Sequence, residues 1–454
     1  MKLYKKILNK LNLGKTAKSV SWILLQQIYS TILSLIFSII VARAYGPENY
    51  GIFTFCQSYI SIFSFLAIFG TDQIVVKDFV ENKYNKGTIL GSALLLRIIL
   101  AIFTLIVNQT ISLMLYDKEI NIIVLIFNMN TILCSCDIIT YFAQSKMENK
   151  YISISKIISN TVFAIAKVIV LLLKLDIKFY SITFVIETLV YLVLLIYSYF
   201  KLINNEKVHW QIDKKYILYL LKKGKYYAFS SLMVTIYLRI DQVMLGTIFN
   251  EKSLVGIYSV AVRISEIWTF VPLALITSMK PDVIKSRLDS YSKYISKLKN
   301  LYNIVSFVCF IFVVCIFLFG KLGINILYGS EYSGAYIPLL ILSIGIWIGV
   351  LGNIHYVWMT CEGKEKYSIF YSLFGSIINV IFNLLLIPKY NLFGAAVATL
   401  ISQICSNIMS FLFFKNTRFL SYSLIKSLNP INGLKMIHDM NLLSVKRKKE
   451  SFEK

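Results

Sequence analysis

The sequence predicts an all-α, polytopic membrane protein of about twelve transmembrane helices in two six-helix lobes. Three observations lead there. Hydrophobic residues make up 57% of the 454 positions, charged residues 15%, and the mean hydropathy is +0.68, too apolar for a soluble domain of ordinary composition. Twelve apolar runs are each long enough to cross a bilayer, which takes about 20 residues. Finally, when the N-terminus is placed inside, the inner segments hold 35 of the 47 Lys and Arg, the outer loops 7 and the spans 5. That asymmetry is the positive-inside pattern of an inner-membrane protein with both termini in the cytoplasm. It also accounts for the formal charge of +24 without a nucleic-acid partner.

The first run, 20–43, follows a basic arm but is longer than a signal-peptide core and lacks an A-x-A-like cleavage site, so it is expected to stay attached. The second, 51–71, opens with YGIFTFCQSYIS after the turn GPENYG. The third, fourth, fifth and sixth, at 89–110, 121–144, 152–173 and 179–200, carry Arg97, Asp137, Lys156 with Lys167, and Glu187. Lys156 lies near an inner end, where a long side chain can reach the interface. The inner connection 201–226 contains KVHWQIDKKYILYLLKKGK, read as a basic amphipathic helix on the anionic leaflet. It divides the chain into 1–225, an N-terminal lobe with its connector, and 226–414, a C-terminal lobe; 415–454 is a basic cytoplasmic tail ending SVKRKKESFEK.

In the second half the runs fall near 227–249, 254–278, 301–320, 335–360, 368–387 and 392–414. VGIYSVAVRISE at 255–266 echoes the opening of the second run, and FGAAVATLISQI at 393–404 repeats the Gly-led start. An even number of spans per half preserves orientation, so a parallel repeat would place a binding site between the halves near mid-membrane. The seven cysteines sit in or beside spans and read as small hydrophobes. His209, His355 and His438 show no metal spacing, and His355 is expected to be a hydrogen-bonded packing residue beside Asn353 rather than a proton relay.

The in-span charges raise the functional question, because one at the bilayer centre costs about 2.5–3.5 kcal/mol even on the mildest scale. Arg239 and Asp241 in IYLRIDQVMLGTIF are two residues apart, on opposite sides of a helix, so each needs a partner elsewhere. Arg263 and Glu266 are spaced to pair within one helix. The eleventh span carries Ser372, Ser376, Asn379 and Asn383 on one face, and the twelfth answers with Ala395, Thr399, Ser402 and Ser406 at the same offsets. One reading is helix packing through small polar residues. The other is a cation site: Asp241 supplies charge, and Asn379, Asn383, Thr399 and the Ala395 carbonyl supply neutral oxygens. A single carboxylate suits sodium or a proton better than a divalent ion. Arg97, Lys167, Arg239 and Arg263 could likewise hold a diphosphate, with mutual neutralisation of in-span acids and bases as the competing reading.

GIYSVAVRISEIWTFVPLALITSMKPDVIK at 256–285, IYLRIDQVMLG at 236–246, INVIFNLLLIPKYNLFGAAVATLISQ at 378–403 and YGPENYG at 45–51 resemble the O-antigen or capsule repeat-unit flippases of the Wzx type. The order of motifs agrees up to about residue 415. These flippases belong to the polysaccharide-transporter branch of the superfamily of multidrug and toxin extruders and lipid II flippases. The resemblance implies a MATE-like bundle moving an undecaprenyl-diphosphate-linked oligosaccharide from inner to outer leaflet by alternating access. It further implies a basic cavity for the diphosphate and, as in some members, a sodium site on spans seven, eleven and twelve, where Asp241, Asn379, Asn383 and Thr399 fall. Asn383 stands where an acid can occur, which leaves the ion open between sodium and a proton.

Two alternatives remain: a multidrug extruder of the same fold, and a membrane glycan polymerase. No soluble catalytic motif is present, and the longest outer loop, near 321–334, is too short for an enzymatic domain. The expectation is a transporter with no cofactor beyond the coupling ion. Its partners would be the lipid-linked oligosaccharide, the bilayer and, through the tail, assembly proteins.

Overall fold

The computed structural model describes residues 15–203, 208–249, 251–364 and 366–434. The arm before residue 15 and the tail from 435, with SVKRKKESFEK and His438, lie outside the described residues. Every regular element among the described residues is helical. The helices are α1 (Lys15–Ile68), α2 (Thr71–Glu81), α3 (Lys86–Leu115), α4 (Lys118–Ser135), α5 (Ile138–Ser145), α6 (Asn149–Leu172), α7 (Ile177–Ile203) and α8 (Lys214–Ile248). They continue with α9 (Lys252–Ile267), α10 (Phe270–Asp289), α11 (Tyr291–Leu327), α12 (Tyr336–Glu362), α13 (Lys366–Ile404) and α14 (Arg418–Ser427).

Among the described residues, ten stretches are long and apolar enough to span a membrane. Two of them hold a pair of spans each, because α1 breaks at Gly46, before Pro47, and α13 breaks at Asn391, after Pro388. The twelve apolar runs are thus recovered in an all-α, multi-pass membrane protein. Side chains such as Phe103, Ile106, Val193 and Phe317 stand exposed on the spanning helices. In lipid such apolar surface carries no cost, while each helix satisfies its own backbone.

Several boundaries depart from the sequence reading. The fourth span is interrupted at Cys136–Asp137 between α4 and α5, with no Pro or Gly to announce it. The eighth is interrupted at Trp268–Thr269. Residues 321–327 belong to α11, so the loop expected near 321–334 shrinks to a short turn around Ser330–Ala335.

The chain divides into two compact units, Met1–Thr235 and Ile236–Lys454, so the division falls inside α8 rather than at 225. In the first unit Leu90 and Ala93 of α3, Phe142 of α5, and Tyr216 and Leu220 of α8 share one core. In the second, Tyr302 and Val305 of α11 pack with Leu351 and Trp358 of α12 and with Phe411.

The connector also corrects the reading of a separate surface helix. Residues 208–213 are not helical, and from Lys214 the chain enters α8, which runs unbroken into the seventh span. The non-helical stretch is pinned to α3: Gln211 N–H donates to Gly87 O at 3.1 Å, and Asp213 N–H donates to Ser92 Oγ at 2.8 Å. A Cβ at Gly87 would stand 1.8 Å from His209 O, so only glycine permits the contact. Nor is the tail wholly solvated: Leu420 and Leu424 of α14 enter the second core, and Ser421 Oγ donates to Ile408 O at 2.8 Å.

Candidate functional site

The second unit builds a buried polar cluster around Asp241, whose side chain belongs to a residue only 3% exposed. The tight turn at Asn391, where φ is 49°, folds the two halves of α13 back on each other. A Cβ at Gly394 would lie 2.3 Å from Leu386 O, which is how closely the halves approach there. That turn sets Asn379 opposite Ser402, and Asn379 Nδ2 donates to Ser402 Oγ at 3.3 Å. The second half of α13 then presents Thr399 to α8, and α9 presents Tyr258.

Tyr258 OH donates to Asp241 Oδ2 at 2.5 Å, Thr399 Oγ1 donates to the same oxygen at 3.1 Å, and Gln242 N–H donates to Oδ1 at 3.0 Å. Three donors from three helices thus compensate the burial of one carboxylate. The chain of bonds continues: Ser402 Oγ donates to Thr399 O at 2.8 Å, and Asn383 Nδ2 donates to Asn379 Oδ1 at 3.0 Å. It ends at Asn383 Oδ1, which is buried and has no hydrogen-bond partner among the described residues. Ala395 is fully buried one turn before Thr399.

Four of the five expected residues are therefore joined in one cluster, with Asp241 bonded to Thr399 directly and linked to Asn379 and Asn383 through Ser402, while Ala395 lies one turn away. Packing by small polar residues is present as well: Ser406 Oγ donates to Tyr371 O at 3.1 Å and lies against Gly375. Carboxylate, hydroxyl and amide oxygens suit a small hard cation, and the orphaned Asn383 oxygen is an acceptor such an ion could use. Among the described residues no cluster of three His, Cys, Asp or Glu has metal-holding geometry.

Tyr258 was not singled out in the sequence. The signal was nevertheless there: in the aligned openings YGIF and VGIY, Tyr258 stands where the first repeat has Phe53, so a hydroxyl is added at an otherwise apolar position. Phe53 in turn belongs to the aromatic group of Phe127, Tyr180 and Phe184.

The four basic residues are divided between the two units, two in each. In the first unit Arg97 is 1% exposed, 3.0 Å from Asp137 at the α4–α5 break, and lies over the Tyr141 ring. The Lys167 ammonium is enclosed by Phe163, Phe184, Phe37 and Tyr180, with ring centroids 3.6–5.1 Å away. In the second unit Arg239 meets Glu266 at 3.5 Å, both about one-third exposed. Glu266 is thus taken by the neighbouring helix and not by Arg263, which is half-buried. Lys156, read as reaching the interface, instead pairs with Glu187 at 3.2 Å. His355 is fully buried against Tyr302 and Phe411, and neither ring nitrogen has a hydrogen-bond partner among the described residues, contrary to the hydrogen-bonded role expected.

A family model described as "Polysaccharide biosynthesis protein" matches residues 16–279. A capsular polysaccharide biosynthesis protein, CapF of Staphylococcus aureus, is 25% identical over 405 residues, covering 88% of this chain and 99% of that protein. Among solved structures, the lipid II flippase MurJ in an inward closed conformation superposes with a TM-score of 0.70 at 16% identity, covering 94% of this chain and 98% of that one. An outward-facing multidrug resistance MATE transporter of the MOP superfamily gives 0.59 at 15% identity, covering 91% and 97%. At such identities the structural likeness establishes the fold.

Proposed function

Because the chain belongs to the polysaccharide biosynthesis protein family, we propose that it is a flippase carrying polyprenyl-diphosphate-linked oligosaccharide repeat units from the inner to the outer leaflet. It works by alternating access in the bacterial cytoplasmic membrane, with both termini inside. The observation that carries this reading is the coincidence of that family with a flippase-like, multi-pass helical fold, given by the lipid II flippase superposition over 94% of the chain. The capsular relative supports a glycan cargo.

Movement is coupled to sodium or a proton at Asp241. Support comes from the oxygen cluster of Asp241, Tyr258, Thr399 and Asn383, on helices that a change of state can displace against each other. Arg97, Lys167, Arg239 and Arg263 remain the candidates for diphosphate contact. Exposure ranks them: Arg239 and Arg263 are partly exposed, whereas Arg97 and Lys167 are enclosed.

Deletion of the gene in its host tests the cargo. The account expects polyprenyl-linked glycan to accumulate on the cytoplasmic leaflet. Loss of the lipid-linked product would favour a synthetic enzyme, and unchanged glycan with new drug sensitivity would favour an extruder.

A further inference from the structure

The first unit contains a polar cavity of about 290 Å³ that the coupling site and the basic residues leave unassigned. It lies among α1, α4, α5, α6 and α7, with Ile23, Cys134 and Gln144 exposed at its rim and Thr140, Asn149, Ser153 and Tyr191 buried deeper. Its volume is at the lower end for ligand pockets, which run from about 300 Å³ upward.

Its chemistry narrows the occupant. Asp137 and Lys156 both reach the wall, but each is matched from behind, Asp137 by Arg97 at 3.0 Å and Lys156 by Glu187 at 3.2 Å. Two cations and two anions leave no net charge, so neither a bare cation nor an anion such as phosphate gains much here. Among the uncharged groups, several oxygens are open to accept. Asn149, 8% exposed, spends its Nδ2 on Ser19 Oγ at 2.7 Å, and its Oδ1 has no hydrogen-bond partner among the described residues. Gln26 Nε2 donates to Ser30 Oγ at 3.1 Å, and Thr188 donates its hydroxyl to Asn130 Oδ1 at 2.6 Å. The wall therefore offers acceptor oxygens from Asn149, Gln26 and Thr188 and donors from the Gln144 amide and the Lys156 ammonium, beside apolar faces from Ile152 and Leu192. The matching ligand carries hydroxyls that both donate and accept on its edge and C–H groups on its faces, which describes an uncharged sugar ring.

We propose that this cavity seats one sugar residue of the lipid-linked glycan, an inference that rests on the flippase reading and adds a glycan subsite to it. Asn149 accepts from a sugar hydroxyl, and the two ion pairs hold the wall in shape.

The test is photocrosslinking in proteoliposomes of the full-length protein. Ile152, at the cavity wall, is replaced by p-benzoylphenylalanine, and the probe is lipid-linked glycan extracted from the deletion strain, labelled separately in the sugar and in the polyprenyl chain. After illumination, mild acid cleaves the bond between the anomeric carbon and the diphosphate. Sugar label retained on the protein is expected, whereas the photoresidue at the exposed Ile165 should retain polyprenyl label only. Asn149→Leu in the Ile152 background should lower the sugar adduct about tenfold, the loss of one ligand hydrogen bond. Retention of polyprenyl label at position 152, or leaflet exchange with no adduct, would overturn the subsite and leave the flippase reading standing. Absence of leaflet exchange by the unsubstituted protein would overturn both.

Discussion

Asp241 survives burial because three donors converge on it, and the strongest test of that statement is to remove one. Tyr258→Phe keeps the ring and deletes the 2.5 Å bond to Oδ2. A hydrogen bond to a charged group contributes about 1.5–3 kcal/mol, so the variant should melt several degrees lower in detergent. An unchanged Tm would mean that the carboxylate is satisfied without the tyrosine. His355 predicts the opposite sign. Its imidazole packs 4.1 Å from Phe411, centroid to centroid, with the rings tilted by 44°, and neither nitrogen has a partner among the described residues. His355→Phe keeps an aromatic ring against Phe411 and removes about 1–3 kcal/mol of uncompensated burial, so the thermal melt should hold or rise. A marked loss of stability would show that the ring nitrogens are bonded in the working protein. Asp241 and Thr399 were legible in the sequence because polar residues stand out in apolar spans. Tyr258 was not, since tyrosine is amphipathic and one of 30 in the chain; only its contrast with Phe53 marks it.

At the scale of elements, hydropathy located all twelve spans, because a run of about 20 apolar residues has no alternative fate in a membrane. It could not locate the breaks. Cys136–Asp137 interrupts a span through tertiary contact, Asp137 reaching Arg97, and neither residue is a helix breaker by propensity. The connector was misread for a related reason: its charge pattern suited a surface helix, but the backbone of 208–213 found partners on α3 at Gly87 and Ser92. Gly87→Ala would force a Cβ to 1.8 Å from His209 O. Overpacking of this kind costs about 1–3 kcal/mol or more, so poor yield of folded protein and a lower Tm are expected. Wild-type yield and Tm would show that the connector moves away freely.

For the whole molecule, the fold and the membrane class followed from composition, whereas cargo and coupling depend on a few oxygens and charges whose grouping no periodicity encodes. The four basic residues illustrate the limit: as in-span charges they suggested a diphosphate site, while their immediate neighbours are set by tertiary contact, Arg97 meeting Asp137, Lys167 sitting among four rings and Arg239 meeting Glu266. If coupling runs through Asp241, then Asp241→Asn should retain folding and lose the response to an imposed sodium or proton gradient. A gradient response equal to that of the unsubstituted protein would assign coupling elsewhere. The most direct measurement is leaflet exchange of the deletion-strain lipid-linked glycan in proteoliposomes, with and without such a gradient. The account predicts protein-dependent, gradient-sensitive exchange of that lipid. Folded protein that leaves the glycan in its original leaflet under every gradient would contradict it.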